Sequence, residues 1–271
     1  MREQQNDAIH GPNNADAVVL GKYGDGGPTA YTSVAKDMDR MKDKHYYNTL
    51  IQKERKYIIM FEDAVKKTAL EKGELDRGTR NGYSILINSY EKEINLLYSL
   101  GENLKTIEEC YKKLLFYYSK MWDRKYGYIE LVKVLSLGVL FKVNRSDIFE
   151  LEQRLISEKF DDYLVNFLIK EIDSTWEREG VEFEFEVYKC LKQILDNDEI
   201  IACEALKEYL QEKWYEIHRE CAWYDSHKSS KNEYYGYWSF EAGAIAKILN
   251  LDDSSLKDVA YYPYDLVHYK K

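Results

Sequence analysis

From Thr29 to Tyr262 the chain contains no proline; the three it has are Pro12, Pro28 and Pro263. Proline removes a backbone donor and clashes with the preceding helical turn, so its absence leaves the whole central chain free to be helical. Apolar spacing takes up that freedom. Tyr83, Leu86, Ile87, Tyr90, Ile94, Leu97 and Tyr98 recur at steps of three and four, as one face of a helix does. Ile107, Cys110, Tyr111, Leu114, Leu115, Tyr118, Met121 and Trp122 repeat the pattern, and Cys203, Leu206, Leu210, Trp214, Ile217 and Cys221 make a third stripe. Tyr128 to Phe141 is apolar nearly all round, which predicts a helix buried on several sides. Ser146 or Asp147 is an N-cap candidate, with Glu150 placed to complete a capping box. The fold class these patterns predict is all-α, a compact helical bundle.

One stretch carries two readings. Val181-Glu182-Phe183-Glu184-Phe185-Glu186-Val187 alternates apolar and acidic residues as a half-buried strand does. Phe183, Val187, Cys190, Leu191 and Ile194 also lie on a helical stripe that the polar Asp196-Asn197-Asp198 ends. No partner strand is visible elsewhere, and a lone strand is not stable, so helix is the favoured reading. The chain divides into three regions. Residues 1–39 hold Gly11, Gly21, Gly24, Gly26 and Gly27 and two of the prolines, with little helical spacing, and are expected to be extended or disordered. Residues 40–178 form an N-terminal helical region and 179–271 a C-terminal one, parted where Asp173-Ser174-Thr175 and Gly180 interrupt the pattern.

With 39 Lys and Arg against 48 Asp and Glu, the formal net charge is −9. Such a field repels phosphate backbones, which disfavours direct contact with nucleic acid, and it speeds encounter with a basic partner. No apolar run nears the ~20 residues of a bilayer span. The longest, Leu131 to Phe141, is broken by Lys133, Ser136 and Gly138. The opening Met-Arg-Glu-Gln-Gln-Asn-Asp lacks a signal pattern, so the expectation is a soluble, cytoplasmic protein with no membrane partner. Cys110, Cys190, Cys203 and Cys221 show no paired spacing, and the first three fall on apolar stripes, which predicts buried free thiols.

Candidate chemistry is sparse. Leu20-Gly21-Lys22-Tyr23-Gly24-Asp25-Gly26-Gly27 imitates a phosphate loop, but Pro28 stands where that loop needs Lys followed by Ser or Thr, so no nucleotide cofactor is expected. His218, Cys221 and His227, with Asp225, are the one metal-like group. The blander alternative, a core thiol beside two hydrogen-bonded histidines, is favoured because zinc sites usually pair their ligands at both ends. Glu241 falls in a helix whose Ala242, Gly243 and Ala246 imply close packing. A carboxylate there must be paired or hydrogen-bonded, with His227, Lys228 or an arginine as candidates, and a structural role is favoured over a general base. Asp252-Asp253-Ser254-Ser255 fits an N-cap cluster for a short helix near Ser255, and Tyr262-Pro263-Tyr264-Asp265 predicts an extended close.

The ordered blocks Trp223-Tyr224-Asp225-Ser226-His227, Tyr237-Trp238-Ser239-Phe240-Glu241-Ala242-Gly243-Ala244, Leu251-Asp252-Asp253-Ser254-Ser255-Leu256 and Tyr261-Tyr262-Pro263-Tyr264-Asp265-Leu266-Val267 resemble the C-terminal half of PoNi-type immunity proteins. That family neutralises polymorphic DNase toxins of bacterial competition systems, and the resemblance spans roughly residues 40–269. Residues 14–23 and 26–35 instead resemble a fragment of a polymorphic-toxin C-terminus. The family resemblance implies a non-enzymatic protein without cofactor or metal, whose partner is one cognate DNase toxin. It also implies that Trp223, His227, Trp238, Glu241, Asp252, Asp253, Tyr262, Pro263 and Asp265 mainly specify the fold. Partner contact is then expected from exposed carboxylates near aromatics: Glu182, Glu184, Glu186, Asp196, Asp198 and Glu199, with Tyr224, Tyr234 and Tyr235 as rigid anchors. Two other readings stay open. One is an enzyme using Glu241, His227 and Asp253, which needs a pocket converging on all three. The other is a helical scaffold or adaptor, which needs an exposed apolar groove.

Overall fold

A computed structural model describes residues 42–270, and the readings made for residues 1–39 lie outside the described residues. Among the described residues there are helices and no strands. Six long helices come first: α1 (Lys44–Lys72), α2 (Arg77–Leu100), α3 (Leu104–Met121), α4 (Tyr128–Leu140), α5 (Arg145–Ser157) and α6 (Tyr163–Ile172). Short connections join them, and side chains ahead of most of these helices satisfy their first free N–H groups; α4, preceded by Gly127, has no such cap. Asp43 accepts from the Tyr46 amide, Asp76 from those of Gly78 and Thr79, and Asn103 from that of Lys105. The cap of α5 lies earlier than the sequence implies. Asn144 is the N-cap and Asp147 the reciprocal member of its box, because the Asp147 carboxylate reaches back to the Asn144 amide at 2.8 Å.

Helices α1 and α2 run antiparallel, with Arg55 paired to Glu93 at 2.6 Å and Tyr90 donating to Glu62 at 2.8 Å. They approach closely at Gly82, where a Cβ would sit 2.2 Å from a Val65 methyl. Helix α4 is the centre of the molecule. Leu131, Val132, Val134, Leu135, Leu137 and Leu140 are fully shielded from solvent, as the all-round apolar pattern requires. It packs against α6 and against a helix from the C-terminal region, so the two sequence regions share one core.

After α6 the chain is irregular through residues 173–185 and becomes helical only from Glu186. A 3₁₀ turn (Glu186–Leu191) runs into the single-turn α7 (Lys192–Leu195). The helix expected across Val181–Val187 is therefore absent from its first half. Asp162 explains why: its buried carboxylate accepts the Glu184 amide at 2.8 Å, while the Tyr163 amide donates to the Glu182 carbonyl at 3.0 Å. Those backbone groups are bound to the start of α6 and cannot enter a helical ladder.

Helix α8 (Glu199–Glu208), a π-turn (Tyr209–Lys213) and the short α9 (Trp214–Ile217) replace the single long helix expected over 203–221. A 3₁₀ turn at Ser226–Lys228, α10 (Phe240–Ile248), a 3₁₀ turn at Asp253–Leu256 and α11 (Tyr264–Val267) complete the chain. The tail is thus a short helix rather than the extended close expected. The Pro263 carbonyl accepts from the Leu266 and Val267 amides, starting a turn that the proline ring itself does not obstruct. Gly243 of α10 lets Pro263 in: a Cβ there would meet the ring at 2.6 Å.

One buried acid pair makes stability pH-dependent. Glu152 of α5 lies against Asp173, which receives the Thr175 amide at 2.9 Å, the Thr175 hydroxyl at 2.7 Å and Arg145 at 3.0 Å. Burial and then the neighbouring Asp173 charge push the Glu152 carboxyl up to about 7 from an ordinary 4.5. A carboxyl whose folded pKa is raised holds its proton more tightly when folded. Its contribution is fully present below pH 4.5 and is lost as pH rises through 7. Glu152→Gln should therefore raise stability at pH 8 by roughly 1 kcal/mol, after allowing for screening by Arg145, and flatten the decline between pH 5 and 8. Urea melts of both proteins across that range check it.

Candidate functional site

The C-terminal region builds an aromatic and carboxylate cluster around α9 and α10. Its centre is Glu241, 4% exposed in the first turn of α10. One oxygen, Oε1, accepts from Trp214 Nε1 at 2.6 Å, the Ser239 hydroxyl at 2.7 Å and the Tyr209 hydroxyl at 2.9 Å. The π-turn is what makes this possible. Tyr209 and Trp214 are five residues apart, a spacing that an α-helix turns to different faces. The wider turn, closed by the Trp214 amide on the Tyr209 carbonyl, brings both donors to one side. Partners expected for Glu241 are corrected accordingly: three neutral donors hold it, while Lys228 pairs with Asp225 at 2.8 Å.

Around this centre the rings pack closely. Trp223 stacks on Trp214 at 5.5 Å, Tyr261 lies 4.4 Å from Trp214, and Tyr224 stacks on Tyr215 at 4.4 Å. His218 is buried, with Nδ1 2.7 Å from the Trp214 carbonyl and Nε2 3.1 Å from the Tyr188 hydroxyl. Burial lowers its pKa, outweighing the Glu241 charge, which acts the other way. His227 places Nδ1 3.0 Å from the Tyr237 hydroxyl, and Trp238 donates to the Ser99 hydroxyl at 2.9 Å. Among the described residues no group of three or more His, Cys, Asp and Glu is arranged to hold a metal.

The other signature residues lie beyond this cluster. Asp252 caps its 3₁₀ turn through the Ser254 amide, and buried Asp253 accepts from the Tyr262 hydroxyl at 2.6 Å and lies 3.3 Å from His268. Tyr262 and Pro263 are buried, and Asp265 is exposed in the first turn of α11. The convergence an enzyme reading requires is absent. Of Glu241, His227 and Asp253, Glu241 alone lines the neighbouring cleft.

The acidic residues separate by what they already bind. Glu184 pairs with Arg124, Asp196 accepts from the Tyr163 hydroxyl at 2.8 Å, Asp198 caps α8, and Glu199 accepts the Asp252 amide at 3.2 Å. Glu186 pairs with Lys189 yet stays open to solvent, and Glu182 is exposed. Exposed Val181 and Ile200, each 75% accessible, flank these acids in sequence. Tyr224 is half-buried against Tyr215, and Tyr235 is half-buried on the cleft wall. Tyr234 is corrected outright: it is 1% exposed, so it anchors the fold and not a partner. Its backbone is held by the Tyr46 hydroxyl of α1, with both bonds at 3.1 Å.

A cleft of about 460 Å³ opens beside Glu241, between α2, α4, α9 and the segment around Trp223 and Trp238. Sequence reasoning passed over its most unusual side chain, Glu91 of α2. The signal was present: Glu91 stands four residues after Ile87 and three before Ile94, at the margin of the buried stripe of that helix, where it is half-buried.

The N-terminal profile of the PoNe immunity proteins (PoNi) matches residues 38–153, and the C-terminal profile matches residues 160–266. This chain belongs to the PoNi family. Both halves of the family pattern are present, in order, and together they span the shared core. The chain is also similar in fold to a solved structure described as protein PA2201 from Pseudomonas aeruginosa. The two are 16% identical, with a TM-score of 0.56 over 88% of this chain and 94% of that one. That likeness concerns fold alone. No curated protein matches the sequence. The helical bundle and the PoNi assignment agree, and among the described residues no helix is long and apolar enough to cross a membrane.

Proposed function

We propose that this PoNi protein binds one cognate DNase toxin and silences it by covering its active site or DNA groove, without turning over any substrate. The family match across both halves carries the reading. A net charge of −9 supports it, because a DNA-cutting cleft presents positive charge to phosphates and an acidic surface competes for the same groups. Glu182 and Glu186 are the solvent-exposed acids of the 182–199 patch least tied into the fold, Glu186 pairing only with its surface neighbour Lys189. The loop they stand on is held by Asp162, and exposed Val181 and Phe185 beside them supply apolar contact. Steric occlusion and charge mimicry then act together, with the carboxylates in the positions of DNA phosphates.

Exclusion is the testable consequence. A labelled DNA duplex bound to a catalytically dead form of the toxin should be displaced by one equivalent of this protein, read by fluorescence anisotropy. A stable ternary complex of toxin, DNA and protein would contradict occlusion of the groove.

A further inference from the structure

The cleft beside Glu241 combines aromatic walls with an uncompensated carboxylate. Trp214, Trp223 and Trp238 contribute to its lining, together with Tyr235 and Tyr237. Four carboxylates line it, Glu91, Glu130, Glu233 and Glu241, against two ammonium groups, Lys92 and Lys133. Four of these six are already engaged. Glu241 Oε1 is occupied by its three donors, Glu233 accepts from the Ser229 hydroxyl at 3.1 Å, Lys92 lies over the Tyr235 ring at 5.1 Å, and Lys133 over that of Phe240 at 6.0 Å. The rim therefore already receives an ammonium against an aromatic face.

Glu91 is different. Its Oε1 is shut off from solvent and has no hydrogen-bond partner among the described residues, and the buried Tyr118 hydroxyl is likewise unmatched. Burial raises the Glu91 pKa, Lys133 and Lys92 lower it and Glu130 adds to the rise, so its charge is under-compensated where it stands. A carboxylate so poorly compensated is costly, and a cation brought into the cleft that Glu91 lines recovers part of that cost. Aromatic faces attract the same group through the ring quadrupole. Phosphates and carboxylates meet the wrong sign here, because the lining carries more acids than bases.

Resting on the toxin-binding reading, we propose that this cleft takes a basic side chain of the toxin, arginine or lysine, with the aromatic walls around its charged head and Glu91 as its counter-ion. The cleft is large enough for one such side chain and the residues flanking it. An arginine or aromatic anchor filling a desolvated pocket is the pattern that concentrates interface energy.

Three of the five tryptophans line the cleft, so intrinsic fluorescence reports on its occupation. The protein alone is titrated with N-acetyl-arginine methylamide and with its uncharged citrulline counterpart. Saturable binding of the arginine probe is expected, with a Kd on the order of 1 mM. It should be at least tenfold weaker for citrulline and lost in Glu91→Gln. Equal binding of the two probes, or an unchanged Glu91→Gln, overturns the proposal. The second arm measures toxin affinity: Glu91→Gln should weaken it at least tenfold, with its melting temperature near that of the parent. If Glu91→Gln does not fold, Asn95→Arg, which brings the protein's own guanidinium to the cleft, should weaken toxin binding to the same degree. Loss of probe binding with toxin affinity unchanged would show that the cleft serves a free organic cation, and overturns the proposal while leaving toxin neutralisation intact. Failure of the parent protein to bind toxin at all would instead remove the reading on which the proposal rests.

Discussion

Glu241→Ala should destabilise the protein by about 3–5 kcal/mol, because it strands three buried donors at once. The Tyr209 hydroxyl, Trp214 Nε1 and the Ser239 hydroxyl all end on one carboxylate oxygen. Tyr209, Trp214 and Ser239 are each buried, and water reaches this site from the side of the cleft that Trp214 lines. For a chain of this size the loss corresponds to a fall in melting temperature on the order of 10 °C. Glu241→Gln keeps an acceptor oxygen in place and should cost about 1–2 kcal/mol. Thermal and urea unfolding of the two variants separate hydrogen bonding from charge. Equal losses would mean that the negative charge, and not the acceptor, holds the site together.

A comparable loss is expected from Asp162, where the isosteric change should be nearly as damaging as truncation. Its Oδ1 accepts from the Val165 amide at 2.9 Å and the Tyr128 hydroxyl at 3.0 Å, and its Oδ2 accepts from the Glu184 amide at 2.8 Å. Both oxygens are in use, so an asparagine must turn an NH₂ group toward a donor. Asp162→Asn and Asp162→Ala should each cost about 3 kcal/mol, combining a lost helix cap with buried unmatched donors. The loop carrying Glu182 and Glu186 should loosen as well, read as faster hydrogen exchange at Glu184 than in the parent. An asparagine variant as stable as the parent would show that the second oxygen contributes little.

How far the fold was legible depends on whether the deciding contact is local. Helices α2, α3 and α4 follow from side-chain period alone, because each buries the stripe its residues spell out. The π-turn at Tyr209–Lys213 does not follow, since the apolar spacing of Leu206, Leu210 and Trp214 fits an unbroken α-helix equally well. What selects the wider turn is the demand of Glu241 for both Tyr209 and Trp214, and Glu241 is a full helix away in sequence. The Val181–Glu186 loop was misread for the same kind of reason. Its alternation of Phe and Glu comes from a non-helical segment tied to Asp162, and no local pattern announces that bond.

The site shows the same division. That Glu241 must be hydrogen-bonded was readable from the small residues beside it, but the identity of its donors was not. Tyr234 looked like an exposed anchor because its neighbours Glu233 and Tyr235 are polar or amphipathic. It is buried with its ring edge-on to Tyr237 at 4.8 Å, and Tyr46 of α1, far along the chain, holds its backbone. Five of the six acids in the 182–199 patch are engaged, with Arg124, Lys189, Tyr163, the Asp252 amide and a helix cap. A one-dimensional charge run records none of those engagements.

A titration of DNA cleavage by the partner toxin against this protein reads neutralisation directly. Toxin at a concentration well above the Kd is mixed with increasing amounts of purified protein, and residual cleavage of a plasmid is followed over time. Cleavage should fall in a straight line and stop near one equivalent, with no cleavage by the protein alone. Cleavage that persists at saturating protein would contradict neutralisation by binding, and so would a catalytic amount of the protein that silences an excess of toxin.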